Sequence, residues 1–370
     1  MPSSVTNSPL RVLILGATGV FGSRLVERIA LEPSVEIILS ARNRDKLEAL
    51  AAQHCPDAKI RTIDRERITP ADLGRADVVV DAAGPFQSSG VQVIDAALAA
   101  GAHYIDLADG REFVGAIGQF DEAARKAGIA VISGASSIPA LSHAVIDTLA
   151  VGVQRIDAIK VGIFPGNRAP RGLAVVQSIL SYAGRPVRVF RHGLWQELPG
   201  WGLTHRWSVN GAGRRWASIC ETPDQDLLVA RYKPTQSAEF FAGVELSVMH
   251  LGLALLCLPV RLGLIRSLRP AARILHTVAI WLQPFGSDRG AMAVEIKGLD
   301  GSGAATHRNW ELHATGNMGP YVPILPCLAM LRRLRDNAPV RSGAYACAGI
   351  LDLRELDADF DDLGIVRSIN

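Results

Sequence analysis

The sequence lacks the cysteine patterns of a zinc site or a disulfide framework. Its 370 residues include only five cysteines, and no two of them form a Cys-x-x-Cys pair. They are Cys55, Cys220, Cys257, Cys327 and Cys347. Scattered cysteines of this kind are typical of buried thiols in a reducing compartment, so we expect a cytoplasmic protein without a metal site.

The sequence also lacks a large excess of charge, since its 39 basic and 36 acidic residues nearly balance. The formal net charge is +3, and no run of Lys and Arg forms a continuous basic stripe. We therefore expect no nucleic-acid partner. The first ten residues, MPSSVTNSPL, contain no basic region followed by an apolar one, so we expect no signal peptide.

Long uninterrupted hydrophobic runs are missing as well. The most apolar stretch, residues 244–265, is interrupted by Glu245, His250 and Pro259, whereas a membrane-spanning helix needs about 20 largely uninterrupted apolar residues. Two interpretations of region 244–283 stay open. It is either a strand and helix buried in a second domain, or a surface for peripheral membrane contact or a greasy substrate.

What the sequence does contain is a regular alternation of strands and helices over residues 11–133. Strands are predicted at 11–15, 35–40, 59–64, 76–81, 103–107 and 130–133, with helices at 19–31, 45–53, 91–100 and 112–126. This alternation predicts an α/β fold with an N-terminal Rossmann domain, a doubly wound parallel sheet.

After Pro139 the pattern changes to a mixture of helices, short strands and a predicted β-hairpin at 290–314. A chain of this length favours more than one domain. We predict an NADP-binding Rossmann domain over 8–138, a mixed α+β domain for substrate binding and dimerisation over 139–337, and a C-terminal segment over 338–370.

A glycine-rich turn between the first strand and the first helix is the strongest local signal. The turn reads Gly16, Ala17, Thr18, Gly19, Val20, Phe21 and Gly22. Gly16 permits the tight turn, Gly19 lets the backbone approach a pyrophosphate, and Gly22 lets the helix pack closely on the sheet. We predict that these seven residues bind a dinucleotide at the helix N-terminus.

The end of the second strand predicts NADP as the cofactor. An acid there would hydrogen-bond the ribose hydroxyls of NAD, but this chain has Ser40, Ala41, Arg42 and Asn43. A guanidinium suits a 2′-phosphate in charge and geometry. We predict Arg42 as the phosphate clamp, with Ser40 or Asn43 assisting.

Polar and small residues follow the later strands, at the edge where ligands of such sheets bind. The turn Ala83, Gly84, Pro85 and Phe86 is predicted to lie against the nicotinamide ribose. The predicted catalytic residues are Tyr104, Asp106, Ser137 and His143. Structural roles also stay open for three of them. Tyr104 and Asp106 could make hydrogen bonds at strand ends, and His143 could be a core histidine with its hydrogen bonds satisfied.

Several of these segments together resemble the saccharopine dehydrogenase NADP-binding family. The matching stretches are GATGVFG (16–22), SARN (40–43), AAGPF (82–86), GAHYIDLADG (101–110) and GASSIPALSH (134–143), with looser matches at 184–199 and 221–227. The resemblance implies a Rossmann domain, a mixed domain built on a sheet, and a C-terminal segment that packs back on the Rossmann domain. Ser136 and Leu141 stand where related proteins carry acids, which departs from the pattern of the lipid-associated members.

The resemblance also implies an NADP(H)-dependent oxidoreductase. Hydride would pass to or from an imine, carbonyl or activated alkene carbon of a small or lipid-like substrate. By analogy with Rossmann oxidoreductases we expect a homodimer.

Two other functions stay open. The first is a non-catalytic NADP-binding redox sensor, which fits a chain without a clear catalytic acid. The second is a trans-acting enoyl reductase that needs a partner, which fits the apolar region 244–283. A classical short-chain dehydrogenase is disfavoured because no tyrosine is followed by Lys at the fourth position.

Overall fold

Two β-sheets organise residues 8–370, the part of the chain that the computed structural model describes. The elements of the N-terminal part are β1 (Leu10–Leu15), α1 (Val20–Ile29), β2 (Val35–Ser40), α2 (Arg44–His54), β3 (Lys59–Arg61), α3 (Pro70–Leu73), β4 (Val78–Asp81), α4 (Gln92–Ala100), β5 (His103–Asp106), α5 (Arg111–Gly115), α6 (Asp121–Ala127), β6 (Ala130–Ser133) and α7 (Ser142–Leu149).

The remaining elements build the second sheet and the C-terminal segment. They are β7 (Val153–Phe164), α8 (Leu173–Tyr182), β8 (Pro186–Arg191), β9 (Leu194–Pro199), β10 (His205–Val209), β11 (Gly213–Ile219), α9 (Asp224–Tyr232), β12 (Ser237–Ala242), α10 (Ser247–Leu256), α11 (Leu258–Arg261), α12 (Ala272–Trp281), β13 (Gly290–Asp300), β14 (Ala305–Ala314), α13 (Leu325–Arg335), β15 (Gly343–Ala346), α14 (Asp357–Asp362) and β16 (Val366–Ile369).

The first sheet is a seven-stranded parallel sheet in the order β15-β6-β5-β4-β1-β2-β3. Alternate residues of β1 enter different apolar clusters, Val12 and Ile14 on one face and Leu13 and Leu15 on the other. Side chains of a strand alternate between faces, and burial of both faces explains the continuous apolar run in its sequence. The predicted doubly wound Rossmann sheet is confirmed.

The helix predicted over 112–126 is broken in the structure. The chain forms α5, then a 3₁₀ turn over Ile117–Phe120, and then α6. Gly115 and Gly118 lie at the interruption, where glycine weakens helix formation because it loses more backbone freedom than other residues. The third strand is also shorter than predicted and ends at Arg61.

The second sheet is mixed, with nine strands and the central order β10-β11-β12-β7-β13-β14-β16. Its longest pairing joins β7 and β13 in antiparallel register, and β12 lies parallel to β7 on the other side. The helix α7 follows β6 and packs on β13, so it connects the two sheets directly.

The C-terminal segment contributes one strand to each of the two sheets. Strand β15 extends the first sheet by pairing in parallel with β6, whereas β16 pairs with β14 in the second sheet. The resemblance implied packing on the Rossmann domain; β15 pairs there, and the last strand also joins the sheet of the mixed domain.

Helices α10, α11 and α12 place many apolar side chains in solvent. Leu255, Leu262 and Trp281, for example, are 65%, 72% and 73% exposed. The interpretation of region 244–283 as a buried strand and helix is therefore wrong. Within residues 8–370, no helix is long and apolar enough to cross a membrane.

A buried ionic network fastens the C-terminal segment to α1. The Asp359 carboxylate is 2% exposed and accepts hydrogen bonds from Arg332 Nη1 and Nη2 at 2.5 and 2.9 Å. Arg28 on α1 donates to the same carboxylate at 3.3 Å, and Arg332 also donates to Glu32 at 2.8 Å. Because these charges are shielded from water, each is stabilised mainly by its ion-pair partners.

We expect Asp359→Asn to lower the free energy of unfolding by about 3 kcal/mol, since it leaves two guanidinium groups without their shared carboxylate. The measurement is chemical denaturation. Asp362→Asn is the matched control, because Asp362 also pairs with Arg28 but its side chain is 62% exposed. A loss below about 1 kcal/mol is expected for this control, and equal losses for both variants would contradict the assignment.

Candidate functional site

The glycine-rich turn between β1 and α1 is shaped by a left-handed backbone conformation, one close backbone approach and one backbone hydrogen bond. Gly16 has φ +74°, a conformation that residues with a Cβ rarely adopt. A Cβ on Gly22 would lie 2.1 Å from the carbonyl oxygen of Gly16, so the helix start packs directly on the turn. The backbone N–H of Ala17 donates to the Ser40 carbonyl at 3.0 Å, which anchors the turn to β2.

The N-terminus of α1 has free donors for an anion. Gly19 is its N-cap and provides no side-chain cap, and the first turn contains no acidic residue. The first N–H groups of a helix lack internal partners and carry a partial positive charge. This end of α1 is therefore suited to bind phosphate.

The turn after β4 lies beside the glycine-rich turn. A Cβ on Gly16 would come within 2.9 Å of the Ala83 Cβ. These two turns follow β1 and β4, the pair of strands at which the sheet reverses its order, and ligands of open α/β sheets bind at that point. The predicted cofactor turns are thus adjacent in space.

Arg65, which the sequence did not single out, holds the second of these turns. It lies in a short 3₁₀ turn after β3 and donates from Nε to Asp81 Oδ2 at 2.8 Å. Asp81 also accepts from the Ala83 backbone at 3.0 Å, and the Arg65 guanidinium lies 5.4 Å from the centre of the Phe86 ring. No local motif marks Arg65, because its partners are 16 or more positions away.

Asp106 joins the ends of β5 and β6. Its Oδ1 accepts hydrogen bonds from the backbone of Ala108 at 2.9 Å, from Gly134 at 2.7 Å and from the Ser133 hydroxyl at 3.0 Å. Burial raises the pKa of this carboxyl to about 6, although the three donors act in the opposite direction. The geometry supports the strand-end role that the sequence left open.

Tyr104 and His143 are completely buried. Tyr104 is 0% exposed within the apolar cluster on one face of the first sheet. His143 is also 0% exposed, and its Nε2 lies 3.8 Å from Asp224 Oδ1. Burial lowers the pKa of His143 to about 3 and raises that of Asp224 to about 7. Since Ser137 is only 7% exposed, the predicted catalytic residues do not form an open polar wall.

The residues after β2 have three different surroundings. Asn43 caps α2 by accepting from the Lys46 backbone at 2.9 Å, so its side chain has a structural role. The Ser40 hydroxyl is buried and makes no hydrogen bond within the described chain. Arg42 is exposed and has no carboxylate partner among residues 8–370, which leaves it free to bind an anion.

The mixed domain closes over this edge through its 165–172 loop and α8. Gly172 comes close enough to α1 that an added Cβ would lie 3.6 Å from the Val20 side chain. Helix α8 lies next to the 3₁₀ turn Phe86–Ser88 that follows the second cofactor turn. The two domains therefore meet beside the predicted nicotinamide position.

Asp109 is the acidic side chain that the structure places at this junction. Its Oδ1 accepts from Gln87 Nε2 at 2.9 Å. Burial raises the pKa of its carboxyl, while the hydrogen bond from Gln87 acts to lower it. Asp109 lies in the 101–110 segment that the sequence singled out, and unlike the fully buried Asp106 it is partly exposed.

An ion pair next to Asp109 connects the two domains. Arg111 Nε donates to Asp226 Oδ2 at 2.6 Å, and Arg111 Nη1 donates to the Arg188 carbonyl at 2.7 Å. Burial raises the pKa of the neighbouring Glu221, which Arg111 partly offsets. Elsewhere in the mixed domain, Arg215 is paired with Glu245 at 2.9 Å.

Two cavities lie elsewhere in the described chain. One of about 320 Å³ lies between α13 and β15, and one of about 590 Å³ lies between the 211–215 and 286–289 loops. Neither includes a residue of the two cofactor turns.

The comparisons with known proteins agree with this geometry. The model of the saccharopine dehydrogenase NADP binding domain matches residues 12–132. A search of curated protein sequences found no significant match.

Two solved structures have a similar fold over nearly the whole chain. Apo saccharopine dehydrogenase (L-Glu forming) from Saccharomyces cerevisiae has a TM-score of 0.70 and 12% sequence identity, covering 97% of this chain and 99% of that one. Homospermidine synthase from Legionella pneumophila, in complex with NAD, has a TM-score of 0.60 and 11% identity, covering 98% of this chain and 92% of that one. Residues 12–132 of this chain are thus similar to the NADP binding domain of saccharopine dehydrogenases.

Proposed function

We propose that the protein is an NADP(H)-dependent oxidoreductase that acts on an imine, carbonyl or activated alkene carbon. The observation that carries the proposal is the free N-terminus of α1 beside the turn after β4, at an edge that the mixed domain covers. A site of this shape binds a dinucleotide and partly excludes water from its reactive end.

The residues present fit this cofactor. The contacts of Gly16 and Gly22 leave room only for backbone at the turn, so a diphosphate can approach the N–H groups of α1 closely. When bound, the nicotinamide supplies the hydride chemistry. The protein orients it, and Arg42 at the end of β2 is placed to bind the 2′-phosphate that distinguishes NADP from NAD.

Asp109 is the group that we assign to proton transfer. It is next to the second cofactor turn, and burial raises the pKa of its carboxyl, which favours the protonated form that a proton donor needs. Gln87, on the 3₁₀ turn that contacts α8, fixes its orientation. Asp106, by contrast, has its Oδ1 committed to three strand-end donors.

A non-catalytic redox sensor is the second candidate. It is favoured by the burial of the predicted catalytic residues: Tyr104, Asp106 and His143 have no exposed surface, and Ser137 is only 7% exposed. Such a protein would bind NADPH tightly without consuming it with any substrate class.

We expect Arg42→Ala to raise the Kd for NADPH about tenfold or more, because it removes a charge-assisted contact to the 2′-phosphate. The Kd for NADH stays unchanged, since NADH has no such phosphate. Fluorescence titration with both nucleotides measures this. Arg44→Ala is the matched control, because Arg44 pairs with Glu48 at 2.8 Å and is not assigned to the cofactor. Equal weakening of both nucleotides would contradict the clamp.

The proposed activity is tested by following NADPH oxidation with a panel of imines, keto acids and acyl-chain enones. We expect turnover with one class. Tight NADPH binding without turnover on any class would support the sensor instead, and absence of binding would overturn both functions.

With a substrate in hand, we expect Asp109→Asn to lower kcat by about 100-fold or more while NADPH affinity is kept. In the wild type, kcat in the reduction direction falls as pH rises through the raised pKa of Asp109, because the protonated carboxyl is the donor. That pH dependence disappears in Asp109→Asn. Asp95→Asn on the exposed face of α4 is the control. A wild-type pH profile in Asp109→Asn would refute the assignment.

A further inference from the structure

An apolar surface on α10, α11, α12 and their connections is not explained by the packing of the core. Residues 8–370 expose eighteen large apolar side chains, and thirteen of them lie between residues 247 and 285. We call this region the 247–285 surface. Its most prominent members are Leu255, Leu262, Leu264, Ile274, Trp281 and Phe285, which are 65% to 75% exposed.

The charge of this surface has one sign. Residues 246–287 contain no Asp and no Glu but include four arginines, Arg261, Arg266, Arg269 and Arg273. All four are exposed, and none has a carboxylate within ion-pair distance in the described chain. An apolar surface with unpaired cations around it matches the boundary of an anionic lipid layer, where apolar tails lie beneath phosphates.

Hydrogen bonds to the rest of the mixed domain anchor the helices α10 and α12, which carry this surface. His250 on α10 is 0% exposed, and its Nε2 hydrogen-bonds the Ser218 hydroxyl at 2.9 Å. On α12, His276 Nε2 hydrogen-bonds the Arg171 carbonyl at 2.9 Å. These two histidines thus face the protein, while the large apolar side chains of α10 and α12 face outward.

We propose that the 247–285 surface docks on an anionic lipid bilayer. The ten-residue helices α10 and α12 are about 15 Å long, half the thickness of the hydrocarbon core, so they lie at the interface. Trp281 and Phe285 enter the headgroup region, where aromatic rings are favoured. Arg266, Arg269 and Arg273 bind the lipid phosphates, whereas the Arg261 guanidinium donates to the Trp201 carbonyl.

A second copy of this chain is a poorer occupant. In a twofold interface the same surface faces itself, so the arginines of both copies would be brought together without an acid to pair with. An anionic membrane supplies the missing negative charge.

Sedimentation with vesicles tests the proposal on the full chain. Vesicles of phosphatidylcholine alone are compared with vesicles containing about one-third phosphatidylglycerol. We expect binding to the anionic vesicles, weakened about fivefold for each arginine removed in Arg266→Ala, Arg269→Ala and Arg273→Ala, and abolished in Trp281→Glu/Phe285→Glu. Leu194→Glu is the control, because Leu194 is 67% exposed on β9, outside the surface.

Light scattering on the same proteins identifies the competing occupant. A monomer–dimer equilibrium that Trp281→Glu/Phe285→Glu removes, together with no vesicle binding by the wild type, would overturn the proposal in favour of a second copy. Vesicle binding that is equal for Trp281→Glu/Phe285→Glu and Leu194→Glu would also overturn it. Because neither measurement uses NADPH, the result is independent of the proposed function.

Discussion

The candidate site depends on the contact between the backbones of Gly16 and Gly22. The atoms that a Cβ on Gly22 would meet are the carbonyl oxygen and carbon of Gly16, which cannot move without displacing β1. This contact sets the start of α1 against the carboxyl end of β1 and leaves its first N–H groups uncovered. A larger residue at either position would move the helix away from the sheet and remove the phosphate site.

Around this contact, the chain supports the site from distant positions. Arg65 fixes the turn after β4 through Asp81, and Asp106 fixes the loops after β5 and β6. The C-terminal segment adds a strand to each sheet and is tied to α1 through Asp359. The parallel sheet, the mixed sheet and the tail therefore act together to place α8 and Asp109 beside the cofactor turns.

The sequence was sufficient to predict the first sheet because its signals are local. Continuous apolar strands, amphipathic helices and the glycines of residues 16–22 each act within a few positions. The catalytic residues were harder, since periodicity does not reveal burial depth: Tyr104 and His143 have suitable chemistry but lie inside the core. The hydrogen bonds of Arg65 with Asp81 and of Gln87 with Asp109 join residues that are 16 and 22 positions apart, so no local pattern encodes them.

For the apolar region 244–283, too, the sequence did not predict which side chains are buried. The composition of residues 244–283 favoured burial, because apolar side chains are more often inside a protein. In the structure, the buried residue of α10 is His250 and that of α12 is Ala272, whereas most of the larger apolar side chains point outward. Only the distribution of contacts, and not hydropathy, could decide this.

Hydrogen–deuterium exchange with and without NADPH tests the central claim most directly, since it reports where the nucleotide binds. The account predicts that NADPH protects the backbone amides of residues 16–24 and 82–90, and that Gly22→Ala loses this protection while Gly252→Ala, whose Cβ meets no atom within 4 Å, keeps it. Protection confined to the cavities beside β15 or the 211–215 loop, or no protection at all, would contradict the account.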